Sequence, residues 1–185
     1  AGVFYKSISD FIAQQQFEDI TVNGITFGEA DTFVNLDDAE IFGVEFNWQQ
    51  PLDFLPDPLD GFIFGFNYTY VSSEATLSSG RKISLPGQSD NVVTSTLGYE
   101  KGPFDFRIAA TYRDKFLDEI NAGGEGIDRI VEDHLQIDAS IKYQVTDQFR
   151  AFVEVKNLNN RAFSASIRPD GLGPLNAQYE TYGIS

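Results

Sequence analysis

Carboxylates are the most numerous chemistry-bearing groups in this chain, and they cluster. Between Phe17 and Glu40 stand Glu18, Asp19, Glu29, Asp31, Asp37, Asp38 and Glu40, with no Lys or Arg between Ile12 and Trp48. A second group, Asp114, Asp118, Glu119, Glu125, Asp128, Glu132 and Asp133, is relieved by Arg113, Lys115 and Arg129. Hard oxygen ligands of this kind bind divalent cations when a loop wraps them around the ion. The spacing fits no EF-hand loop, so solvated charge on loops explains it better, and no metal site is expected. His134 is the only histidine. Beside Asp133 and near Asp138 it could form the His–acid pair of a hydrolase, but a single His opening a strand reads better as a polar rim residue. Gly-x-Ser-x-Gly, Walker and His-Glu-x-x-His patterns are absent. Gly123-Gly124-Glu125-Gly126 lacks the helix and Lys that a phosphate cradle needs, so flexibility accounts for it. The expectation is therefore no enzyme, no catalytic residue and no cofactor.

Rings and a few cations are better suited to touching a ligand. Phe17, Phe27, Phe33, Phe116, Phe163 and Tyr179 fall in or beside long connections, where exposed rings stack on flat or cyclic ligand groups. Packing of the loops on one another is the competing explanation for the same rings. Arg81, Arg113, Arg129 and Arg168 are the loop cations that could pair with a carboxylate or phosphate. These ten residues are the candidate ligand contacts.

What positions them is a set of strands. Phe104, Phe106, Ile108, Ala110 and Tyr112 alternate with Asp105, Arg107, Ala109, Thr111 and Arg113, the two-residue period of a strand with one apolar face. Over 135–144, Leu135, Ile137, Ala139, Ile141 and Tyr143 do the same. Over 62–71 the first face is wholly aromatic, with Phe62, Phe64, Phe66, Tyr68 and Tyr70. Weaker copies span 40–49, 91–101 and 149–156, where Phe152 breaks the pattern. Residues 3–12 are extended with no clear face, and 178–185 begin a further strand. About eight strands and no helix are expected.

The connections alternate in length. Residues 13–38, 75–90, 114–133 and 158–177 are long, whereas 101–103 and 145–147 are short and the proline-stiffened 52–61 is intermediate. In a meander every second connection lies on the same side, so all the long ones share one end. That asymmetry, strands of about ten residues and Tyr and Trp near strand ends suit an antiparallel up-and-down transmembrane β-barrel. A soluble β-sandwich, which also alternates, stays open as the alternative.

Composition agrees with either reading. The 185 residues hold 13 Lys and Arg against 28 Asp and Glu, a net charge of −15 that disfavours a nucleic-acid partner. Seventeen Phe and eight Tyr exclude a disordered acidic tail, and the lack of Cys excludes thiol chemistry. No apolar run is long enough for a membrane helix. Met is absent too, which leads to the expectation of a processed or excised segment.

Several stretches together resemble the C-terminal part of a TonB-dependent outer-membrane receptor. They are Val3-Phe4-Tyr5-Lys6-Ser7-Ile8-Ser9-Asp10-Phe11-Ile12, Ala39-Glu40-Ile41-Phe42-Gly43-Val44-Glu45, Leu85-Pro86-Gly87-Gln88-Ser89-Asp90-Asn91, Phe152-Val153-Glu154-Val155-Lys156-Asn157-Leu158-Asn159-Asn160 and Tyr179-Glu180-Thr181-Tyr182-Gly183-Ile184-Ser185. The resemblance implies that residues 1–185 are roughly the last eight strands of a 22-stranded plugged barrel, without the plug domain and the end of the last strand. It also implies a Gram-negative outer membrane and energised uptake of a ferric siderophore, a corrinoid or an oligosaccharide. The implied partners are outer-membrane lipid and lipopolysaccharide, a small nutrient ligand, and the TonB complex acting through the absent plug. A passive porin-like or adhesin barrel is the alternative within the same architecture. Acidic loops would repel an anionic ligand, so the cargo is expected to be neutral or cationic, or to be held by basic residues outside this segment.

Overall fold

Alternation becomes a wall of strands with two unlike faces. The computed structural model describes residues 1–36, 38–77, 79–122, 124, 126–168 and 174–185. In chain order the strands are β1 (Gly2–Ile8), β2 (Ile12–Val22), β3 (Ile25–Asn35), β4 (Ala39–Pro51), β5 (Phe62–Thr76), β6 (Lys82–Ile83), β7 (Asn91–Lys101), β8 (Phe104–Arg113), β9 (Phe116–Glu119), β10 (Asp128–Val131), β11 (His134–Thr146), β12 (Phe149–Val155), β13 (Phe163–Arg168) and β14 (Leu175–Glu180). A single 3-10 turn, Leu59–Gly61, interrupts the β4–β5 connection. Among the described residues no helix is long and apolar enough to cross a membrane.

The main sheet runs β1-β4-β5-β7-β8-β11-β12, with the two-residue β6 attached to β5. Every pairing within it is antiparallel. It is an open up-and-down wall that does not close on itself. Register lines up whole rows of side chains across it. Phe64, Leu97, Ile108, Ala139 and Val155 form one apolar row. On the opposite face Asn47, Asn67, Thr94, Thr111 and Gln136 form an uncharged hydrogen-bonding row. A one-residue slip anywhere would exchange these faces, so the pattern specifies the register.

Among the described residues nothing covers the apolar face: Trp48, Leu97, Ile141 and Val153 are all exposed. Rings mark both of its margins. At the short-turn end Phe62 packs on Tyr99 at 4.8 Å and Phe104 on Tyr143 at 4.9 Å, and the Tyr99 hydroxyl donates to the Pro58 carbonyl at 3.1 Å. At the loop end Tyr68 donates to Asn91 at 2.7 Å and Tyr112 to Asp114 at 2.9 Å. Rings with an apolar body and a hydrogen-bonded tip suit a boundary between greasy and wet surroundings. Between these margins the eleven residues of β7, at about 3.3 Å each and tilted about 40°, climb about 25 Å, the height of an outer-membrane apolar band.

Close packing of β1 on β4 explains one glycine. Phe4 lies on the polar face directly opposite Gly43, and a Cβ at 43 would overlap its ring. Lys6, two residues on, holds its ammonium 5.6 Å from that ring. Phe152, the residue out of pattern in β12, points to the polar face and is exposed.

The apolar core sits at the loop end of the wall, where the long connections pack on the ends of β4 and β5. Ala13, Leu36, Ala39, Ala75, Leu77, Ile83, Leu85, Leu117 and Ile120 are buried together, with Phe11, Val34 and Ile130 packed on them. All four long connections build further strands, the 75–90 one only the two-residue β6. β2 and β3 form a hairpin, and β9 and β10 join β13 and β14 in a sheet of order β14-β13-β10-β9. The hairpin turns at Asn23-Gly24, both with positive φ (52° and 79°), which only such residues adopt without strain. This changes two strand limits expected from the sequence. Residues 3–12 are not one strand, because the chain bends at Asp10 (φ 55°) and Ile12 already belongs to the hairpin. β14 ends at Glu180 in the loop sheet, and only Ser185 returns to the wall, exchanging backbone hydrogen bonds with Lys156.

Candidate functional site

The loops are stiffened by ion pairs before they can offer anything to a ligand. Arg81 donates to both carboxylate oxygens of Asp128, at 2.7 and 2.9 Å, and to the Asn121 side chain at 3.1 Å. Asn121, with a positive φ of 61°, donates its own N–H to Asp128 at 3.1 Å and accepts from the N–H of Gly126 at 3.0 Å. One guanidinium thereby braces the β5–β7 connection against the turn before β10. Arg129 does the same for the loop sheet, donating to Asp118 and to Gln178, with Glu119 at 3.5 Å. Part of the acidic charge expected to be simply solvated is therefore spent on internal pairs, which fix loop positions more than they add stability.

Three cavities open around this assembly. The largest, about 660 Å³, is lined by Gln15, Gln16, Phe17, Glu18, Asp19, Leu77, Ser79, Arg81, Asn121 and Gly126. Gln15 is buried there, and its side-chain oxygen has no hydrogen-bond donor. A second, about 310 Å³, lies between Arg81, Lys115, Phe116 and Asp128. A third, about 300 Å³, lies where the polar face meets the loops, between Arg113, His134, Arg161 and Phe163. The polar face itself is hollowed by about 240 Å³ around Gly65 and Gly98, where two missing side chains leave room between Asn67 and Arg107.

The ten candidate contacts are not gathered into one place. Phe17 and Arg81 share the largest cavity. Phe116 lies under Arg113, whose guanidinium is 4.9 Å from the ring and donates to the Glu132 carbonyl at 3.2 Å. Phe163 joins Arg113 at the third cavity. Arg81 and Arg129 are committed to carboxylates of the chain itself. Phe27 and Phe33 stand exposed on the face of the hairpin that does not pack on the core, and Tyr179 is exposed on β14. Arg168 ends β13 opposite Asp128; its side chain lies outside the described residues, as do Asp37, Gly123 and Glu125. Gly124 and Gly126 both have positive φ, of 113° and 79°.

The His–acid pairing does not assemble. Asp138 accepts from Gln136 at 2.9 Å and from the N–H of Asn157 at 2.8 Å, and Asp133 accepts from Arg161 at 3.2 Å. Both carboxylates are thus turned to other donors. Lys156 and Arg161, which the sequence reading did not single out, also line the third cavity. Periodicity could not have flagged Arg161, which lies in no strand.

A family model described as TonB dependent receptor-like, beta-barrel, matches residues 1–158. The crystal structure of the siderophore receptor PiuA from Acinetobacter baumannii superposes with a TM-score of 0.55 at 18% sequence identity, over 83% of this chain and 22% of that one. The likeness is one of fold, and the chain spans under a quarter of that receptor. No curated protein matches by sequence.

Proposed function

The chain belongs to the TonB-dependent receptor β-barrel family, and on that premise we propose that it forms the C-terminal wall and loops of a receptor for energised uptake of a scarce nutrient. Family membership implies the outer membrane of a Gram-negative bacterium. The carrying observation is the two-faced wall, apolar and uncovered on one side, polar on the other, and capped at one end by ion-paired loops. In this reading the apolar face meets lipid, and the acidic loop end meets lipopolysaccharide and the outside. The polar rows line the path that opens when the TonB complex pulls on a plug supplied by the rest of the receptor. Phe17, Phe116 and Phe163, beside cavities, are the first rings a nutrient would meet, and the exposed Phe27, Phe33 and Tyr179 would close over it. A ferric siderophore, a corrinoid or an oligosaccharide all suit stacking on such rings.

The test is uptake by the complete protein in cells limited for each nutrient in turn. Collapse of the proton-motive force should abolish import while leaving surface binding intact. Import that continues unchanged would identify a passive porin-like barrel, and partition of the protein into water without detergent would identify a soluble module.

A further inference from the structure

Residues 52–61, which join β4 to β5 at the short-turn end, fold toward the apolar side of the wall, and side chains of β7 hold them there. The Tyr99 hydroxyl donates to the Pro58 carbonyl at 3.1 Å, and Lys101 donates to both Asp57 and Asp60. Tyr99 and Lys101 share the face of Leu97, because side chains two apart on a strand point the same way. Gly61 closes the contact: a Cβ there would come within 2.9 Å of the Lys101 Cβ and 3.0 Å of the Glu100 carbonyl oxygen. Two backbone hydrogen bonds, Leu55 to Leu52 at 3.0 Å and Leu59 to Pro56 at 2.8 Å, shape the rest of the turn.

That fold leaves apolar side chains in the open at the border of the apolar face. Phe54 is 71% exposed and Leu59 45%. Leu52 donates its N–H to the Phe62 carbonyl at 2.8 Å, level with the Phe62–Tyr99 ring pair that marks the margin. Phe54 follows Leu52 by two residues, at most about 7 Å of extended chain. The head-group layer beside a bilayer's hydrocarbon is itself about 5–7 Å deep, so the backbone at Phe54 stays within it. A ring and a leucine side chain gain free energy by leaving water at that depth. Asp53, Asp57 and Asp60 outnumber Lys101, the cation that meets two of them. An acidic turn suits zwitterionic head groups with an ammonium to offer and repels anionic ones.

We propose that the 52–61 turn is an interfacial anchor, with Phe54 and Leu59 entering the zwitterionic phospholipid leaflet at the short-turn end. The inference rests on the lipid-facing assignment of the apolar face and goes beyond the uptake reading, since it concerns the end of the wall opposite the loops. The occupant is lipid because the two exposed side chains continue the apolar face past its ring margin, so that one medium covers both.

The experiment places the photoreactive amino acid p-benzoylphenylalanine in the complete protein in cells, at Phe54, Ile108 or Asp147, one position at a time. Ile108 lies in the middle of the apolar row, and Asp147 lies in the short turn between β11 and β12. After irradiation the purified protein is analysed by mass. Phospholipid adducts are expected at 54 and 108, those at 54 chiefly zwitterionic, with none at 147. Exchange of one phenylalanine for another at an exposed position leaves folding intact, so the reading at 54 is decisive. Lipid adducts at 108 without any at 54, protein adducts at 54, only anionic lipid at 54, or equal lipid yields at 54 and 147 would each overturn the proposal. Absence of lipid adducts at 108 would count against the lipid-facing wall itself, and this inference would fall with it.

Discussion

Arg81 grips Asp128 with two parallel hydrogen bonds across 47 residues of chain, one oxygen to each terminal nitrogen. The pair joins a connection that leaves β5 to the first residue of β10, and Asn121 completes it from the turn between β9 and β10. Such a fork holds direction as well as distance, which is what a loop platform needs.

Asp128→Asn should therefore loosen the loops without opening the wall. It removes the charge that faces Arg81 while leaving the size unchanged. With Arg81 about a third exposed, a loss of about 1–2 kcal/mol is expected, confined to the loop end. Amide hydrogen exchange in the complete protein checks it: the N–H groups of Asn121 and Gly126 should lose protection while those of β8 keep theirs.

Gly43 and Phe4 form a size-matched pair. Gly43→Val should push the Phe4 ring off β4 and disturb β1–β4 pairing, because a side chain at 43 occupies the space of the ring. Phe4→Ala in the same chain should restore pairing. Heat-modifiable mobility of the refolded barrel is the readout, and equal defects in the single and double variants would refute the coupling.

The faces of the wall should respond oppositely to charge. Ile108→Arg, in the middle of the apolar row, should cost about 2–4 kcal/mol when the complete barrel folds into lipid vesicles. Thr111→Arg, on the polar row, should cost little. Equal penalties at the two positions would contradict a lipid-facing assignment of either face.

At the short-turn end Lys101 donates to Asp60 and Asp57, and the Asp60 carboxyl is held below its usual value chiefly by that hydrogen bond. A carboxyl whose pKa is lower folded than unfolded adds stability above its unfolded value, about 4, and loses it as pH falls through the folded value. Titration of Asp60 by NMR should show the depressed value, and Lys101→Gln should return it toward the ordinary range. Stability should not change between pH 6 and 8 through this pair.

The wall was legible because its strands are amphipathic over about ten residues, and period two leaves only one face to bury or expose. Strands β7 and β8 lie where alternation places them, at Asn91–Lys101 and Phe104–Arg113. The hairpin of β2 and β3 was not, because both of its faces are mixed: Phe27 and Phe33 stand among carboxylates and amides on the outer face, and Gln15 is buried beside Ala13 on the core face. Gln14, Gln16, Glu18, Glu29 and Asp31 blur the alternation. Asn23-Gly24 was the one local signal of its turn.

Residue order alone determined the two faces and the segregation of long connections to one end, since both follow from side chains alternating along each strand. It left open the fate of each charge. Arg81 and Arg129 look like Arg113 in the sequence, yet the loop strands bring carboxylates to the first two, whereas Arg113 is brought beside Lys156 and Arg161. Pairing at that range depends on where register and loop packing carry residues that are dozens of positions apart, so tertiary structure decided it.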